Sequence, residues 1–320
     1  MTQLLLANLL HGAVALTWAL GVRQWAGPLS ATLWADLLRF CLALPPLLAA
    51  LQLLGMAGPP PWLHSLRVGR WTEALLDTGW LGQTLVGGLL GGTALLFVVQ
   101  EAAPVWRLRR GKAQATAERD SDLAAETESL VLRLRQTGLA PSRGRSPQVR
   151  VVQTDSYSAG LVGIVEPTVV ASRGLLAALD PGEREATLAH ELAHWARGGN
   201  LRVLGVWALR AVQAVNPAAL ILFRMMLEAE EAACDELAAR VTGRPAALAS
   251  ALLKAHSHPD SSEDGGAFRR AQAEIARRGQ LASTRARVTL LLAAGGQAHP
   301  SPLVLAAAMV GLAGLLWSIR

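Results

Sequence analysis

The sequence predicts a mainly α-helical integral membrane protein in which transmembrane helices accompany an α+β domain with a small sheet. Three observations carry this expectation. Of the 320 residues, 52% are hydrophobic and 17% charged, with a mean hydropathy of +0.31, which departs from an ordinary soluble domain. Four apolar stretches, Leu4 to Val22, Ala31 to Leu54, Trp80 to Val99 and Leu303 to Ile319, each approach the roughly 20 residues a spanning helix needs. Between the third and the fourth, helical and β-like patterns succeed one another over about residues 101–300.

The expected division is therefore three spans in residues 1–100 (about 4–22, 31–54 and 80–99), a folded domain over 101–300, and a last span in 301–320. The first stretch lacks the basic start and the small-residue cleavage site of a signal peptide, so it reads as a span. Ten Trp accompany one Tyr and four Phe; Trp25, Trp34, Trp62, Trp71, Trp80, Trp106 and Trp317 fall near span ends, where indoles favour the membrane interface. Asp36 and Arg39, inside the second stretch, read as a local pair near the membrane surface.

Basic residues set the expected orientation. Arg107, Arg109, Arg110 and Lys112 follow the third span, and Arg285 and Arg287 precede the fourth, which puts residues 101–300 in the cytoplasm of a multi-pass plasma-membrane protein. The loop from Met56 to Gly79 is then external, despite Arg67 and Arg70. Cys41 lies in a span and Cys234 in the cytoplasmic part, so no disulfide is expected between them. A pI near 10.5 reflects arginines drawn to anionic lipid; no aromatic-basic reader motif points to nucleic acid.

Within the domain, Ala113 to Gln136 reads as a charged amphipathic helix and Pro141 to Pro147 as a loop. Val149 to Gln153 and Gly160 to Ala171 read as β-like runs; Pro167 in the second suits an edge strand or a bulge. An edge strand beside a catalytic helix can accept an extended substrate as an added strand, or simply complete the sheet. Leu201 to Leu227 is apolar but contains Arg210 and Asn216-Pro217, and reads as two half-length helices bent at Pro217 that dip toward the membrane.

His190-Glu191-Leu192-Ala193-His194 carries the chemistry. On a helix, His190 and His194 lie one turn apart on one face, where two imidazoles can grip one metal ion. Pro181, Glu183 and Glu185 suit the opening turn of that helix, and Gly198-Gly199 its end. Zinc lowers the pKa of a water it holds to roughly 7, and Glu191 is placed to take the proton as general base. A third protein ligand is expected in Leu227 to Leu237, where Glu231 and Asp235 are four apart: Glu231 as ligand, Asp235 orienting a ligand histidine. Glu230 stays open as an alternative ligand one register step away, while Cys234 reads as packing. The pattern His-Glu-x-x-His followed by Glu-x-x-x-Asp is that of gluzincins. Both ligand sets must end on one side of the membrane, so 201–227 cannot be a single complete crossing. Tyr157, His256 and His258 are further candidates as donors to the oxyanion of peptide hydrolysis, the two histidines in a polar loop from Ala255 to Gly266.

The chain resembles the membrane zinc metalloproteases of the BlaR/MecR type, known from β-lactam sensor-transducers, over about residues 160–240. The likeness rests on Glu166 to Leu176, Glu183, Leu188 to Arg197, Asn216-Pro217 and Glu231 to Glu236. It implies a cytoplasmic gluzincin α+β metalloprotease domain with one Zn²⁺ ion, three spans before it and one after. It also implies a protein or peptide substrate, by analogy a transcriptional repressor cleaved in regulatory signalling. Two departures are visible. Gly199 stands where members commonly carry an acidic residue, and the chain ends at Arg320 without the extracellular penicillin-binding sensor, so the resemblance implies protease chemistry and not β-lactam sensing. Two other functions fit the same motifs: a membrane quality-control zinc protease of the heat-shock type, and a signalling scaffold whose zinc is structural.

Overall fold

The computed structural model describes residues 2–26, 29–54, 79–102, 117–118, 120–138, 146–257, 283–292 and 302–318. The chain is mostly helical with one small mixed sheet. In order, the elements are α1 (Thr2–Trp25), α2 (Ala31–Leu53), α3 (Gly79–Leu96, continued by a π-turn Phe97–Ala102), β1 (Ala117–Glu118), α4 (Ser121–Gln136), β2 (Gln148–Val152), β3 (Ala159–Val162) and β4 (Thr168–Ser172). There follow α5 (Arg173–Ala178), α6 (Pro181–Ala196), α7 (Gly199–Val212), α8 (Pro217–Thr242), α9 (Pro245–Ser257), a helix α10 at 283–292, and α11 (Pro302–Ser318). Two compact units emerge: residues 1–112, 204–230 and 298–320 in the first, and 113–203 with 231–297 in the second.

In the first unit the four apolar stretches are helical. Ala15, Ala19, Ala35, Leu38 and Leu42 let α1 and α2 pack closely, and Leu312 and Leu316 of α11 complete their core. Trp18 Nε1 donates to the Ala308 carbonyl at 3.0 Å, tying α1 to α11. Ala31–Leu51 and Gly82–Val99 are long and apolar enough to cross a membrane. The bend at 213–216 carries two buried polar side chains, Gln213 and Asn216. Asn216 Oδ1 accepts from Ala218 N and Ala219 N, capping α8, while its amide donates to the Asn8 carbonyl at 2.9 Å. Gln213 donates to the Leu42 carbonyl at 2.9 Å, and Arg210 donates to the Gln213 carbonyl at 2.7 Å. Pro217 is the first residue of α8, where its missing N–H costs nothing. The expected break at Pro217 is present, between α7 and α8, but the second helix is longer than half-length: α8 runs unbroken for 26 residues, because the helix formers after Leu227 simply continue it. Arg39 pairs with Asp36 at 2.6 Å, as its spacing implied, and also reaches Glu230 at 3.1 Å.

The second unit is built around the sheet, in the order β1-β2-β4-β3. β2 and β4 are parallel, and both outer pairs are antiparallel. Val149, Val151 and Val169 turn inward against Leu130 and Leu134 of α4 and Leu188 and Leu192 of α6. Two sequence expectations change. The run from Gly160 to Ala171 is a hairpin: Gly163, at φ +84°, makes the turn, and a Cβ there would lie 2.3 Å from the Glu166 carbonyl oxygen. Pro167 thus precedes β4, an interior strand, and the edge beside it is β3. The amphipathic helix begins at Ser121 and not near Ala113, since Asp120 accepts from Asp122 N and Leu123 N and caps it. Ala117–Glu118 instead pairs with β2.

Several sequence expectations fall outside the described residues: the Met56–Gly79 loop up to residue 78, Trp106, the Arg107 to Lys112 cluster, most of the Pro141–Pro147 loop, His258, and the loop beyond Ser257. The first three residues of the expected Ala255–Gly266 loop, Ala255 to Ser257, close α9 instead.

Candidate metal centre

The motif helix α6 is fixed at its start by a reciprocal cap. Asp180 Oδ1 accepts from Glu183 N, and Glu183 Oε2 accepts from Asp180 N, both at 2.8 Å. Glu183 is itself buried and also accepts from Ser250 Oγ and Lys254 Nζ of α9, each at 2.6 Å. Burial works to raise its carboxyl, but those hydrogen bonds prevail and hold it below the ordinary carboxylate range. Ala186, Leu188, Ala189, Leu192, Ala193 and Trp195 then bury the rest of the helix. Gly198 and Gly199, both at positive φ, end it.

From this helix His190 and His194 project together, rings edge to face with centroids 4.9 Å apart. Glu231 of α8 faces both: Oε2 is 3.6 Å from His190 Nε2, and Oε1 is 3.5 Å from His194 Nε2. One potential ligand atom from each of His190, His194 and Glu231 falls within 4.8 Å of the others. The far nitrogens have close neighbours as well. His190 Nδ1 lies 2.9 Å from Asp235 Oδ1, and His194 Nδ1 lies 3.3 Å from Cys234 Sγ. Both imidazoles are thus turned with Nε2 toward the carboxylate, the arrangement of a ligand set whose outer nitrogens are held by neighbours. Two imidazoles and one carboxylate suit a divalent transition-metal ion.

Charge fits the same picture. Burial opposes a charge on His190, yet Asp235 and Glu231 outweigh it and push the imidazole up to about 10. Burial would raise Glu231, but His190, His194 and Arg287 hold it at about 2. Asp235 is likewise held at about 2 by Arg287 and His190, against its burial. The cluster gathers anions that attract positive charge, be it a proton, a guanidinium or a metal ion.

The structure brings His190, His194, Glu231 and Asp235 together and leaves Glu191 half-buried on the same helix, one residue after His190. Glu230, the alternative ligand, pairs with Arg39. Tyr157 packs with Leu175, Leu179 and Ala251 in a cluster of its own. His256 closes α9, its side chain outside the described set. Sequence reasoning missed two partners. Cys234, read as packing, touches His194. Arg287 of α10, read only as an orientation signal, makes a two-pronged pair with Asp235, Nε to Oδ2 at 2.6 Å and Nη2 to Oδ1 at 2.7 Å. No spacing could reveal Arg287, because 52 residues separate it from Asp235.

No curated protein matches the chain. Residues 120–278 match the family model described as BlaR1 peptidase M56, a stretch that contains the histidine motif, Glu231 and Asp235. That segment is a metallopeptidase domain, with protein as its class of substrate, and it belongs to the BlaR1 peptidase M56 family.

Proposed function

We propose that the protein is a membrane-embedded zinc endopeptidase that cleaves protein substrates at the cytoplasmic face. The observation that carries the reading is the convergence of His190, His194 and Glu231 beside Glu191 on a helix of a peptidase family. His190, His194 and Glu231 would hold the ion, which when bound supplies a Lewis acid for the scissile carbonyl and for a water. Asp235 and Cys234 keep the two imidazoles turned toward it. Glu191, half-buried one residue after His190 and electrostatically coupled to it, takes the proton of the attacking water and passes it to the departing amine nitrogen. Tyr157, His256 and His258 remain proposals as oxyanion donors.

Membrane residence is supported by composition, by the two helices of spanning length, and by α3, which exposes Leu85, Leu89 and Leu95 along its apolar surface. The polar bend at 213–216 suits a re-entrant hairpin, since non-helical backbone survives at membrane depth only when it is enclosed by protein. The arginines after the third apolar stretch support a cytoplasmic peptidase domain, for which a transcriptional repressor is the proposed substrate in regulatory signalling. The test compares cells carrying the protein with cells carrying Glu191→Gln. The variant is expected to bind zinc as before and to leave a cytoplasmic protein uncleaved. Unchanged proteolysis by the purified variant removes Glu191 from its role.

A further inference from the structure

The family match ends at residue 278, and the described part of α10 covers 283–292. Yet α10 delivers a side chain that reaches the candidate centre. Val288 and Leu291 set this helix into the core formed by Cys234, Leu237 and Leu192. Arg287, four residues before Leu291, lies on the same helical face and is held over the carboxylates of α8. Its Nε and Nη2 span both oxygens of Asp235, and its Nη1 stands 3.2 Å from Glu231 Oε2. Asp235, almost wholly buried, therefore has each oxygen committed to Arg287, with Oδ1 also beside His190 Nδ1.

We propose that Arg287 is a positioning residue of the metal centre, acting through Asp235 to fix the His190 ring. The inference rests on the zinc reading above. A carboxylate gripped at both oxygens by a planar fork cannot rotate, so its face toward His190 Nδ1 is set. Fixing that nitrogen fixes the ring, and with it the direction of Nε2. A second role for the same guanidinium predicts the opposite outcome. As a mere counter-charge to Glu231 it would compete with the metal, and removing it would tighten binding.

The experiment measures zinc affinity of the full-length protein in detergent by chelator competition, with the absorption spectrum of the cobalt-substituted protein as a second readout. Arg287→Ala is expected to bind zinc about 10–100-fold more weakly and to alter the cobalt spectrum. Asp235→Asn is expected to weaken it comparably, and the double variant no further, because both act through one contact. Arg287→Lys keeps the charge and the stem but not the fork, and is expected to recover only part of the loss; it serves if the alanine variant does not fold. Unchanged or tighter zinc binding in the folded Arg287 variants overturns the proposal, as does a double variant whose losses simply add. Wild-type protein that binds no zinc, or binds it regardless of His190→Ala, overturns the zinc reading itself.

Discussion

Glu183 is the joint on which the motif helix hangs, and removing its carboxylate has a calculable cost. Its two oxygens accept the Asp180 N–H at 2.8 Å, Ser250 Oγ at 2.6 Å and Lys254 Nζ at 2.6 Å. In Glu183→Ala the cap loses its returning half, worth about 1 kcal/mol. The Ser250 hydroxyl loses a charged acceptor, about 1.5 kcal/mol. The Lys254 side chain is 41% exposed, so solvent screens its pair and it contributes under about 1 kcal/mol. Together the loss is about 3 kcal/mol, a fall in Tm of roughly 6–12 °C for a domain of this size. Thermal unfolding of the full-length protein in detergent measures it. The charge also has a pH signature. The folded-state carboxyl lies below its ordinary value of 4.5, so its contribution is full above that value and fades as pH drops through the folded value. The stability gap between wild type and Glu183→Gln should therefore shrink on acidification below 4.5. A gap that stays constant from neutral to strongly acidic pH, or a Glu183→Ala loss under about 1 kcal/mol, refutes this account of the joint.

Two further substitutions separate structure from site. Gly163→Ala puts a Cβ 2.3 Å from the Glu166 carbonyl oxygen at a φ of +84°, so the β3–β4 turn must reopen; a loss of more than about 1 kcal/mol is expected in unfolding measurements, with zinc affinity little changed in the folded protein. Cys234→Ala withdraws the sulfur beside His194 Nδ1, a weak partner, so zinc affinity should fall by less than about tenfold, and by less than for Asp235→Asn. Equal losses for the two would mean that sulfur and carboxylate hold their imidazoles equally well.

The parts of the fold that could be read in advance are those whose signal is local. The opening turn of α6 at Pro181 and Glu183, the break at Asn216-Pro217, the four-residue spacing of His190 and His194, and the length of the apolar runs all act within a few turns of helix. The choice between Glu230 and Glu231 is also a helical one: neighbours differ by about 100° around the axis, so one faces Arg39 and the other the imidazoles. Gly163 and Pro167 deceived the reading of residues 160–171, because a glycine and a proline four apart serve a bulged strand or a tight turn equally well. Arg287 was illegible for another reason. Its partners lie in a different helix across a long separation, and nothing in its own surroundings differs from Arg285.

Asn200 gives the sheet a property of its own. Ser172 N bonds to the Ser158 carbonyl, so alternate residues Ala159, Leu161 and Gly163 present their main chain away from β4. The Asn200 amide takes the Leu161 carbonyl at 3.1 Å and the Gly163 carbonyl at 2.9 Å. Two of the outward carbonyls are thus taken, and an incoming chain has fewer acceptors to lace onto. A long ribbon cannot grow there, which guards the strand against stacking with its own kind and leaves any docked peptide dependent on grip by its side chains.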